Sequence, residues 1–245
     1  MNERTALRAT GVVVALLAEA QALTSHPVQP NRIAPLAEQS ALWLSGMGPA
    51  AARRAAQGLA NAGASALAVF GVAGALDERL PNGSLFCPEH ILDENGRTYA
   101  ADARWQTRLQ ERLMSIRPPL HMHGSLLSVQ NPLLTAADKS AAHKQHGALA
   151  VDMESAAVAA VARERKLPLL VLRAIVDEAS DTIPTALSNS VDAWGRARTL
   201  RLMAMLCRHP SLLADLPRLY SRMQHATQAL HAAAKAAGPA LAWPS

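Results

Sequence analysis

Apolar positions along the chain gather into short runs, and longer Ala-rich stretches between them repeat their apolar residues at helical spacing. The runs predict strands near 11–17, 41–45 and 66–71, with a helix near 49–62 between the last two and an irregular Gly/Pro-containing stretch from 74 to 100. The second half reads as a helix near 103–115, one or two strands across 119–129, a helix near 134–145 and a strand near 148–152. A helix near 154–165 and a strong strand over Leu169–Val176 follow. Past Ser188 the pattern turns helical, first over Val191–Leu206. After Pro210 it resumes over Leu212–Ala234, where Leu213, Leu216, Leu219, Tyr220 and Met223 fall near helical spacing. Alternating strand and helix is the signature of an α/β fold with a largely parallel sheet. No Gly/Ser linker divides it, so one domain is expected over 1–245, with a core at about 11–206 and a helical extension at 207–245.

Composition agrees with helices packed on a sheet: half of the 245 residues are hydrophobic and only 3% are aromatic. Cys87 and Cys207 lie far apart and form no CxxC or Cys/His cluster, which argues against a disulfide framework or a zinc site and for a reducing, cytoplasmic setting. The net charge of +5 lies wholly in the tail: residues 1–190 hold 17 Lys or Arg against 17 Asp or Glu, and residues 191–245 hold 7 against 2. Such a tail suits a solvated helical face or peripheral contact with an anionic membrane surface. Nucleic acid is a poorer partner, because no basic cluster is interleaved with aromatics for stacking. Arg4 and Arg8 ahead of Gly11–Leu17 imitate a secretory leader, but the run is too short to span a bilayer and its β-branched centre suits a buried strand.

Candidate chemistry sits where strands end. Val151-Asp152-Met153-Glu154-Ser155-Ala156-Ala157 runs from an apolar strand into a helix and projects Glu154 at the carboxyl end of the sheet, where open α/β sheets bind ligands. A carboxylate there can accept two hydrogen bonds from a vicinal diol such as ribose; it can also simply complement a helix dipole. Leu169–Val176 ends in Asp177-Glu178-Ala179-Ser180-Asp181, which places Asp177 to protonate a leaving group unless the acids form only a solvated turn. Two glycine turns, Ser45-Gly46-Met47-Gly48 and Gly71-Val72-Ala73-Gly74-Ala75, are placed to let backbone amides approach a ligand, though neither is a nucleotide fingerprint. His121 with His123 and His143 with His146 lack accompanying carboxylates or cysteines at ligand spacing, so no metal is expected. Arg53-Arg54 is read as a solvated helix face in preference to a phosphate clamp.

Taken in order with Leu17-Ala18-Glu19 after the first strand, these motifs resemble the nucleoside phosphorylase and nucleosidase superfamily over roughly residues 11–206. The style is nearest to methylthioadenosine/S-adenosylhomocysteine nucleosidases. The resemblance implies a three-layer α/β/α phosphorylase-type fold with a twisted mixed central sheet, no cofactor, inorganic phosphate as a conceivable co-substrate, and a homo-oligomer. It implies Asp177 as the acid that protonates N7 of a purine, Glu154 as acceptor of the ribose hydroxyls, Met153 beneath the sugar and Gly74 at the base or sugar. Glu19 would help to activate an attacking water, with Val72 and Ser45 in the two substrate-binding turns. Val72 and Val176 stand where many members carry hydroxyl residues, which leaves water and phosphate both open as nucleophile. No residue in Ser128–Leu134 matches the aromatic that stacks on adenine in the nucleosidases, so adenine follows from the family alone. The helical tail and apolar turns further resemble the hopanoid-associated phosphorylases, which implies a lipid-linked nucleoside such as adenosylhopane. A soluble methylthioadenosine-type hydrolase and a non-catalytic nucleoside-binding protein of the same fold are the alternatives.

Overall fold

The computed structural model describes residues 10–37, 40–117, 119–184, 192–195 and 216–243. A mixed sheet of eleven strands carries helices on both faces. The strands are β1 (Thr10–Val14), β2 (Ile33–Ala37), β3 (Ser40–Leu44), β4 (Ala66–Ala75), β5 (Leu85–Phe86), β6 (His90–Asp93), β7 (Thr98–Ala100), β8 (Leu120–His121), β9 (Ser125–Ser128), β10 (Ala150–Asp152) and β11 (Leu169–Asp177). The helices are α1 (Leu17–Leu23), α2 (Pro49–Asn61), α3 (Ala103–Leu113), α4 (Ala136–His146), α5 (Ser155–Arg165) and α6 (Leu216–Ala237).

Alternation along the central strands sorts the core into two layers. Val13, Leu67, Val69, Leu169 and Val171 pack against α2 and α5 on one face, where Ala52, Ala55, Ala56 and Leu59 meet Val158, Ala159 and Val161. Val12, Val14, Ala68, Phe70, Leu170 and Leu172 face α1, α3 and α6 on the other. The predicted C-terminal helix is thus part of the second layer, burying Ala226, Ala229, Leu230, Ala233 and Ala234. Beyond it, Trp105 donates from Nε1 to the Leu241 carbonyl at 2.6 Å and packs edge-on against Trp243. The helix expected over Val191–Leu206 falls mostly outside the described residues, as do Leu213 and Cys207.

The sheet departs from expectation where local signals are weak. The first strand stops at Val14, not at residue 17, because the Ala15 and Leu16 amides turn to the Glu19 carboxylate and start α1. The stretch from 74 to 100 holds the end of β4 and the short strands β5, β6 and β7; these are too brief for two-residue periodicity to register. Strand β2 buries none of its five residues and pairs antiparallel at the sheet edge.

Strand β4 organises the site. It runs parallel to β1 and β11, and its end at Gly74–Ala75 pairs antiparallel with β10. The β11–β4 register slips between Ile175 and Asp177, an irregularity that brings Asp177 rather than Val176 opposite Gly74. Strands β1, β4, β10 and β11 therefore all deliver their carboxyl ends to one region.

Candidate active site

Glu19 sits in the first turn of α1, 1% exposed. Its Oε2 accepts the Ala15 and Leu16 amides at 2.8 Å each, and its Oε1 accepts the Val72 amide at 2.8 Å. Two amides saturate Oε2, whereas Oε1 keeps room for a further donor. Burial raises the Glu19 pKa, against the lowering pull of Arg173 and of the three amides.

Glu154 occupies the N-cap position of α5 without capping it. That task falls to Asp152, whose carboxylate accepts the Ser155 amide at 3.2 Å and the Ser155 hydroxyl at 2.5 Å. Glu154 instead turns to the β3–α2 loop, where the Gly48 amide donates to Oε1 at 2.7 Å. Gly48 has φ +95°, open to glycine and strained for other residues, so this amide can face the carboxylate only from such a backbone. Oε2 is loosely held, with Arg173 Nη2 at 3.5 Å and the Met153 amide at 3.4 Å. Burial pushes the Glu154 pKa up to about 7; Arg173 opposes this, and Asp152 and Glu19 add to it.

Asp177, at the end of β11, is 8% exposed and bonded through Oδ2 to the ammonium of Lys139. These groups meet at a cavity of about 220 Å³, whose wall includes Glu19, Glu154 and Asp177 together with Val72, Gly74 and Met153. Ser45 is not among its lining residues: it is buried, and its hydroxyl donates to the Val14 carbonyl at 3.1 Å and the Gly46 carbonyl at 2.8 Å. Among the described residues, every polar side chain lining the cavity is an acid, namely Glu19, Asp152, Glu154 and Asp177, and the rest of the wall is apolar or glycine.

The phosphorylase superfamily model covers residues 7–208. The chain belongs to the phosphorylase superfamily. Solved structures with the same fold include 5′-methylthioadenosine/S-adenosyl homocysteine nucleosidase of Campylobacter jejuni, 19% identical, covering 74% of this chain and 90% of that one at TM-score 0.63. The corresponding Neisseria meningitidis enzyme, in complex with methylthio-immucillin-A, is 17% identical and covers 94% and 99% at TM-score 0.66. Futalosine hydrolase of Helicobacter pylori is 17% identical and covers 94% and 98% at TM-score 0.65. No curated protein matches by sequence. The chain is accordingly a nucleoside-cleaving enzyme of this superfamily.

Within this superfamily member, two cations escaped the motif reading. Arg173, 1% exposed, bonds Asp152 through Nη2 and stands beside Glu154 and Glu19, so one guanidinium balances three acids. A charged residue inside Leu169–Val176, otherwise wholly apolar, was its signal. Lys139 had none, since it lies on a polar helix among Asp138, Ser140 and Lys144. The glycines of β4 also have a packing role that the motif reading did not include. A Cβ on Gly71 would lie 2.3 Å from Glu19 Oε1, and one on Gly74 would lie 2.9 Å from Asp177 Oδ2, so both make room for carboxylates. Arg53 pairs with Glu164 at 2.7 Å on an exposed face, away from the cavity. Among the described residues no three His, Cys, Asp or Glu side chains are grouped to hold a metal, and no helix is long and apolar enough to cross a membrane.

Proposed function

We propose that the chain hydrolyses the N-glycosidic bond of a purine nucleoside, adenine being the base, that carries an apolar 5′ substituent. The observation that carries this reading is a cavity lined by three buried carboxylates from three strand ends within an otherwise largely apolar wall. Asp177 protonates the base at N7, so that the C1′–N bond breaks with its electron pair leaving on a neutral purine. The loosely held Oε2 of Glu154 takes the ribose diol. Water at Glu19 Oε1 attacks C1′ as its proton passes to the carboxylate, which burial makes a stronger base than an ordinary glutamate.

Water is favoured over phosphate because no Lys, Arg, Ser or Thr side chain lines the cavity among the described residues. An anion there would face four acids without a partner. The apolar 5′ group follows from Leu16, Met47, Leu133 and Ile183, which offer nothing to a 5′-hydroxyl and suit a thioether or an alkyl chain; a lipid-linked nucleoside is the extreme case.

The test is adenine release from methylthioadenosine, adenosine and a long-chain 5′-alkyl adenosine, with and without phosphate. Release without phosphate, fastest from an apolar 5′ group, is expected; strict phosphate dependence overturns the hydrolytic reading. Asp177→Asn is expected to lower release by about 10³-fold with the fold intact.

A further inference from the structure

The only buried residue of α4 is a lysine. Every other side chain of Ala136–His146 is at least partly exposed, whereas Lys139 is fully buried, and its Nζ donates to Asp177 Oδ2 and to the Glu178 carbonyl at 2.8 Å. Sequestering an ammonium costs several kcal/mol unless its partners are well placed, and apolar residues usually fill such positions at lower cost. Packing alone gives no reason for a cation here.

We infer that Lys139 is a positioning residue and proton reserve for Asp177, so that the two together form the acid that protonates the leaving base. This inference rests on the nucleosidase reading above. Lys139 fixes Oδ2, which leaves Oδ1 for the base, since no donor to Oδ1 is found among the described residues. As the C1′–N bond breaks, the Lys139 ammonium passes one proton to the Asp177 carboxylate, and the carboxyl so formed delivers that one proton to the base as its new N–H bond. The pair ends with a neutral amine and a carboxylate, and regains its proton from solvent after product leaves. The proton that reaches the base is thus held at rest by an ammonium, ordinarily a weaker acid than a carboxyl.

The titratable and charged groups around the pair are few. Glu178 and Asp181 follow Asp177 on the same segment and are paired with Arg222 and Arg218 of α6. Glu19, Asp152 and Glu154 share the catalytic cavity. On α4 itself, Asp138 bonds Thr135, and His143 lies 3.5 Å from Asp77. All of these are retained when Lys139 alone is changed.

The experiment is the pH profile of kcat for nucleoside cleavage by wild type and Lys139→Met, read with Tm at each pH. The expected result is an alkaline limb moved down by at least one unit: kcat falls about 100-fold or more at pH 8 and far less at pH 5, where solvent supplies protons more readily. Lys139→Arg, a cation that does not give up its proton, should keep Tm near wild type and still show the lowered limb. If Lys139→Met does not fold, Lys139→Gln, which can still donate to Oδ2 and to the Glu178 carbonyl, replaces it. A variant limb at the wild-type pH, or an equal loss at every pH, overturns the inference. Full activity of Asp177→Asn would instead overturn the nucleosidase mechanism itself.

Discussion

The two ends of the cavity use the same kind of acid under opposite electrostatic conditions. At the end assigned to the sugar, Glu19, Asp152 and Glu154 crowd around a single guanidinium, Arg173. At the end assigned to the base, Asp177 has a buried ammonium to itself. Too little positive charge at the first end leaves burial uncompensated, so Glu19 and Glu154 are both raised, Glu154 to about 7. At this end burial is the larger cause of the raised values, and the shared guanidinium offsets only part of it.

The sharpest break of this contrast is Arg173→Met. It leaves three buried carboxylates with no cation and should cost about 3–5 kcal/mol of stability at pH 8. Protonation relieves part of that cost, so urea midpoints should show a smaller deficit at pH 5; an equal deficit at both would mean that Arg173 matters for packing alone. Next in size is Glu154→Gln. Because the folded pKa of Glu154 lies above its ordinary 4.5, its protonated form favours folding: the contribution is fully present below pH 4.5 and is lost as pH rises through about 7. Removing the charge should therefore raise stability at pH 8, by at most about 3 kcal/mol, with no gain at pH 4.5. The same charge is what a ribose diol needs. In the wild type, affinity for a non-cleavable nucleoside should weaken by about tenfold per pH unit below 7, and calorimetry with a 2′-deoxy analogue should show a shallower slope.

Much of this arrangement was legible because strand ends and helix starts are local signals. Glu19, Glu154 and Asp177 follow apolar runs whose length alone puts them at the sheet edge, and the structure brings all three to one cavity with Val72, Gly74 and Met153. Ser45 matched a motif by spelling, but spacing does not say which way a hydroxyl turns, and it turns to the backbone. Lys139 was illegible for the opposite reason: its helix is polar on nearly every side, and only the tertiary fold makes one position of it internal. Strands β5 and β6 depend on partners distant in sequence, which periodicity cannot detect, and β7 is only three residues long.

The finest probe of the contrast lies in β4, which gives one glycine to each end. At Gly71 an added methyl meets Glu19 Oε1 at 2.3 Å and Arg173 Nη1 at 2.7 Å. Glu19 cannot retreat, since three backbone amides hold it, and Arg173 is tied to Asp152. At Gly74 the methyl meets Asp177 Oδ2 at 2.9 Å, the tip of one side chain with a single cation behind it. Gly71→Ala should therefore cost about 1–3 kcal/mol of stability along with activity. Gly74→Ala should leave Tm nearly unchanged and lower kcat by about tenfold, as the acid shifts by a few tenths of an ångström. Equal melting losses in the two variants would mean that the base end is as tightly held as the sugar end, and that its single ion pair fixes Asp177 as firmly as three amides fix Glu19.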